Sequence, residues 1–132
     1  MELIRDTNLV VTKALPAAGA TNYTDAIDLG DQSPGISRDD FQLEVAIPAL
    51  PSLADTKTYK ATIQDSADGS SFDDVAALGI ITLTGVSTSG AAAKTQLFPL
   101  PKDLRRYVRV KNVVEGSGGN NTAVSVTLSV VR

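Results

Sequence analysis

Between Asp65 and Asp74 the chain carries four carboxylates, Asp65, Asp68, Asp73 and Asp74, around one glycine, Gly69. Oxygen ligands at that density are what a calcium loop needs. The spacing argues against one. A calcium-binding loop of the helix-loop-helix kind wants oxygen ligands at alternating positions before its glycine and a Glu six residues after it, and those positions hold Gln64, Ser66 and Val75. The stretch reads as a hairpin instead: Asp68-Gly69 supplies the left-handed conformation of a tight turn, and Phe72 returns an apolar side chain to the core.

Two adjacent acid pairs, Asp39-Asp40 and Asp73-Asp74, have the residue types for general acid and base chemistry of the glycosidase kind. Neighbours on an extended chain point in opposite directions, however, while a working pair must converge across a cleft. Solvated turn carboxylates are the simpler reading. Hydroxyls are plentiful, but the sequence has no His and no Cys. The usual base for activating a Ser, the thiolate nucleophile, disulfides and the common zinc sites are therefore all missing. Gly116 to Asn121 lacks the Lys and the following helix of a phosphate cradle and reads as a hairpin loop. The sequence thus leads us to expect no enzyme, no cofactor and no small-molecule substrate.

The densest positive feature is the run Lys102, Arg105, Arg106, Arg109 and Lys111. Two readings stay open for it: a solvated strand face, or a patch that meets carboxylates on a neighbouring subunit, where Arg forks pair bidentately and fix register. A second candidate contact is the start of the chain, where Leu3 and Ile4, followed by Arg5, put apolar side chains at a terminus. They either pair as an edge strand of their own domain or extend onto a partner as an arm over residues 1–8.

Composition narrows the partners. Net charge is −3, Trp is absent and aromatics are 5% of the 132 residues. A polyphosphate grip and the stacking platforms of glycan or single-strand nucleic-acid clefts are poorly served. No apolar run is long enough to cross a membrane as a helix and no secretory leader is visible, so folding in the cytoplasm is expected.

The elements that must carry these residues are strands. Phe41, Leu43, Val45 and Ile47 alternate with Gln42 and Glu44, and Val124, Val126, Leu128 and Val130 alternate with Ser125, Thr127 and Ser129. Thr58 to Asp65, Gly79 to Thr84 and Arg106 to Val113 add three more, the last with Val108 and Val110 on one face and Tyr107, Arg109 and Lys111 on the other. Shorter candidates are Leu9 to Thr12, Asp25 to Leu29 and Thr95 to Phe98, with little helix anywhere. About eight short strands separated by turn chemistry imply an all-β chain, an antiparallel β-sandwich of the eight-stranded jelly-roll type, forming a single domain over 1–132.

The order of features resembles the small jelly-roll decoration, or cement, proteins of tailed-phage capsids. The shared elements are the short start through Asp6 and Leu9 to Val11, then Ala26 to Gly30, then the alternating strand from Phe41. The hairpin Ile63 to Phe72, the run Arg106 to Val110 and the terminal strand complete them, so the resemblance covers most of the chain. It implies a virion structural protein on the capsid exterior that binds the major capsid protein as a homotrimer and stabilises the shell, made in the host cytoplasm. Rival readings are a β-sandwich module of a phage tail or other surface assembly, a carbohydrate-binding domain and, last, a carboxylate-dependent hydrolase.

Overall fold

A computed structural model describes residues 5–29, 41–100 and 104–131, with backbone alone for 5–8. Asp39, Asp40, Lys102 and the candidate arm residues Leu3 and Ile4 lie outside the described residues. In chain order the strands are β1 (Arg5–Ala14), β2 (Thr21–Tyr23), β3 (Ile27–Asp28), β4 (Gln42–Ile47) and β5 (Thr58–Ser66). They continue with β6 (Asp73–Asp74), β7 (Ile80–Thr84), β8 (Lys94–Pro99), β9 (Tyr107–Val114) and β10 (Ser125–Val131). The expected all-β class holds: among the described residues every strand ladder is antiparallel, and a 3-10 turn, Ala76–Leu78, falls between β6 and β7.

The strands form two sheets. One runs β1-β10-β4-β8; the other has β9 and β5 at its centre, with β2 and β3 both on the far side of β9 and β6 and β7 both on the far side of β5. Side chains from the two sheets meet in one core cluster: Leu43, Val45 and Leu128 from the first, Tyr59, Val108 and Val110 from the second, all without measurable exposure. Each fully buried Val or Leu contributes about 1.5–3 kcal/mol relative to exposure, which makes the facing of the sheets the main source of stability.

The sequence pattern predicts about eight strands and the described residues form ten: β2 and β6 are not among those expected, and each precedes an expected strand, β3 or β7, along the same neighbour. Between β2 and β3 the Thr24 N–H donates to the Val110 carbonyl at 3.0 Å, while the Thr24 hydroxyl replaces a backbone carbonyl in accepting from Val110 N–H, also at 3.0 Å. A β-branched hydroxyl residue thereby breaks the ladder without orphaning the buried amide. Between β6 and β7 the Val75 N–H still reaches the Ile63 carbonyl, the 3-10 turn bulges out, and Gly79 with φ +67 returns the chain so that Ile80 pairs opposite Thr62. Gly79 can take that φ because it has no Cβ.

One chain of polar contacts leads outward from the core. Tyr59 donates its hydroxyl to Asn112 Oδ1 at 2.6 Å, Asn112 Nδ2 donates to Asn22 Oδ1 at 3.1 Å, and Asn22 Nδ2 donates to the Ala14 carbonyl at 2.8 Å. It joins the centre of the second sheet to the end of β1 in the first. Outward alternation fails on both sheets: Thr62, Gln64 and Ser66 of β5 face outward yet are buried, and on β4 Glu44 faces away from Leu43 and Val45 yet is buried, as are Ser129 and Val131 on the same outer face. The register flanks Glu44 with Ser129 on one side and Leu97 on the other, so a central strand does not expose it as an edge strand would.

Candidate interaction face

Strand β9 alternates without a break. Val108, Val110, Asn112 and Val114 are buried, and Tyr107, Arg109, Lys111 and Val113 are half-buried on the outer face. That outer row is fixed from both sides. On β5, Ser66 stands opposite Tyr107, Gln64 opposite Arg109, Thr62 opposite Lys111 and Lys60 opposite Val113. On the other side Asp28 stands opposite Tyr107 and Tyr23 opposite Lys111. The break at Thr24 therefore falls beside Arg109.

Arg109 is the centre of the face. Its guanidinium carbon lies 4.0 Å from the centre of the Tyr23 ring and 3.9 Å from that of Phe72, so it is held between two aromatic faces. Its Nε donates to Gln64 Oε1 at 3.0 Å, and Gln64 Nε2 donates to Asp74 Oδ1 at 2.8 Å. Gln64 is buried, so the guanidinium plane is fixed by packing as well as by a hydrogen bond. Phe72 thus corrects the sequence expectation: it does not return to the core but caps Arg109 from outside, because the hairpin loop folds back over the outer face.

The structure puts the basic run to several different uses. Arg105 is tied to the end of β5: Nε and Nη2 donate to Asp65 Oδ1 at 3.0 and 2.7 Å, Nη2 also reaches Asp73 Oδ2 at 3.0 Å, and its backbone N–H donates to Asp65 Oδ2. Those hydrogen bonds to Asp65 and Asp73 hold its pKa above the ordinary value. Arg106 forks onto Asp28, Nε to Oδ1 at 2.7 Å and Nη2 to Oδ2 at 3.0 Å, with its guanidinium 5.3 Å from the Tyr107 ring centre. Arg109 and Lys111 have no carboxylate partner among the described residues. Arg5 contributes backbone pairing with Val131.

The acidic stretch is spent on internal contacts. Asp65 and Asp73 hold Arg105, and Asp74 accepts from Gln64. Asp68 Oδ1 accepts from the Ser70 and Ser71 amides at 2.9 and 3.0 Å and from the Ser66 hydroxyl, which holds its carboxyl down at about 2. Gly69 has φ +81, the left-handed conformation expected of that turn. No group of three or more acidic side chains converges on a cation position among the described residues. A cleft of about 380 Å³ between edge strands β7 and β8 is lined by Leu78, Ile80, Ile81, Phe98, Gln96 and Lys94 among others, a set without an acid-base pair. No helix among the described residues is long and apolar enough to cross a membrane.

Arg109 and Lys111 were legible as an outward pair from alternation alone. Tyr23, Gln64 and Phe72 were missed. Tyr23 sits in a three-residue strand too short to show a period, and Phe72 carried the usual core prior of an aromatic residue after a turn.

A family model described as Bbp16 matches residues 9–130. No curated protein matches the sequence.

Proposed function

The chain belongs to the Bbp16 family, whose name is phage-associated, and from that premise we propose that it is a virion structural protein that decorates the capsid exterior. In this reading the protein is no enzyme: it docks on the major capsid protein as a homotrimer and stabilises the shell. The observation that carries the proposal is a phage-related all-β chain whose acidic groups in the hairpin are engaged internally, while an outward sheet face keeps Arg109 and Lys111 available. Strand order supports a jelly roll. With β2/β3 and β6/β7 each counted as one interrupted strand, the eight units in chain order run 1-8-3-6 in one sheet and 2-7-4-5 in the other, two antiparallel layers wound from paired strands. Many weak copies on a repeating lattice give strong attachment without any strong single contact.

The test mixes purified protein with shells that lack it. Saturable attachment and raised resistance of the shells to heat are expected. Absence of attachment across a range of salt concentrations contradicts the reading, and attachment to tails alone favours a tail module.

A further inference from the structure

Among the described residues, the outer face of the second sheet combines three features that its neighbouring surfaces do not. It has a guanidinium whose orientation is locked, donors on that guanidinium left over, and a second cation in register beside it. With Nε given to Gln64, the other four N–H donors of Arg109 have no hydrogen-bond partner among the described residues. Lys111 follows two positions along the same strand face, about 7 Å on at strand rise, also without a carboxylate. Arg105 and Arg106 make the contrast: each is matched by an aspartate of the same chain.

We propose that this face is a carboxylate receptor, in which Arg109 and Lys111 take two acidic side chains at alternate positions of an extended segment of a protein partner. The inference rests on the reading that the chain docks on another protein, and it names the chemistry of the docked surface. Clamping between Tyr23 and Phe72 removes most of the rotamer freedom that an exposed Arg would lose on pairing, and the planar fork then meets a carboxylate side-on. Alternate acidic residues on a strand share one side at the same repeat as Arg109 and Lys111, so both pairs form together. A nucleic-acid backbone fits less well. The chain is net negative, and Asp28 and Asp74 border the row, which breaks up a continuous phosphate track even with Lys60 on the same face.

The experiment follows the resonances of the Arg109 side-chain Nε–H and the Lys111 amide in isotope-labelled protein. The probe is the capped peptide Thr-Glu-Thr-Glu-Thr; its Gln counterpart and a short DNA duplex are controls. We expect saturable shifts confined to Tyr23, Gln64, Arg109 and Lys111, at least tenfold weaker with the Gln peptide or with R109Q, and severalfold weaker with K111Q. R109K, which keeps charge but loses the planar fork, should not restore wild-type affinity. Equal binding of the Gln peptide, no saturable shift, or tighter binding of the duplex than of the peptide overturns the proposal. If R109Q loses its fold, K111Q decides. A parallel attachment assay separates the two readings: shells that bind wild type and R109Q/K111Q equally overturn the receptor alone, whereas peptide binding with no shell attachment overturns the docking reading alone.

Discussion

Replacing Tyr59 by Phe keeps the ring and removes one oxygen, which isolates a single buried hydrogen bond. The lost partner is Asn112 Oδ1, 2.6 Å away, in a side chain with no exposure of its own. No water reaches Asn112 to compensate, so the acceptor bears the penalty of an unmade buried hydrogen bond, about 1–3 kcal/mol, and no cavity term is added. We expect a loss of ~2 kcal/mol, or roughly 6–10 °C in Tm for a domain of this size. The pH dependence gives an independent check. Burial pushes the Tyr59 phenol above its ordinary value of 10.0, so the unfolded chain gives up that proton first. The stabilisation is therefore fully present below pH ~10 and declines above it, with a limiting slope of about 1.4 kcal/mol per pH unit. The advantage of wild type over Tyr59→Phe should be constant from neutral pH to pH ~9 and vanish near pH ~11.5. Denaturant unfolding followed by circular dichroism at several pH values measures both. Equal stability within ~0.5 kcal/mol at pH 7, or curves that stay parallel to alkaline pH, would refute the argument. Combining Tyr59→Phe with Asn112→Ala should cost less than the sum of the single changes, since the two remove the same bond.

Other expectations follow from the same geometry. Arg105→Met should lower the thermal midpoint more than Arg106→Met, because the first strands the buried Asp65 and the second opens a fork in solvent. Carbon-detected pH titration should place the Asp68 carboxyl near 2, and the stabilisation from its Ser70 and Ser71 amide contacts should be present above about pH 4 and disappear as pH falls through 2, a dependence that Asp68→Ala abolishes. In the turn before β8, Gly90 has φ +66 and a Cβ there would overlap the Leu50 carbonyl, so Gly90→Ala should destabilise by at least ~1 kcal/mol. Two residues earlier Thr88, a β-branched residue, has φ +66, and Thr88→Asn should stabilise by about 0.5–1 kcal/mol in the same thermal assay.

The central strands could be read directly from alternation because their inner faces are uniformly apolar. Leu43, Val45 and Ile47, and Val126, Leu128 and Val130, all point into the core as their period of two demands. Two edge segments were not legible for the same reason in reverse: β2 and β6 span three and two residues, below the length at which a period exists, whereas β3 lies within the expected Asp25 to Leu29. Their pairing is decided by β9 and β5, which are far away in sequence. Thr24 bonding through its hydroxyl and the bulge ending at Gly79 separate the unexpected segments β2 and β6 from the expected strands at β3 and β7. In the candidate face, β9 gave away the direction of Arg109 and Lys111, but which arginines are neutralised depended on Asp28, Asp65 and Asp73 arriving from other strands. Only three-dimensional placement supplies that.

The central claim is that the chain is a structural component of the virion. Quantitative mass spectrometry of purified particles of the phage that encodes it measures this most directly. The account predicts the chain in constant ratio to the major capsid protein across preparations, lost together from shells washed free of decoration. Particles of full infectivity and stability that contain no more than traces of it would contradict the account.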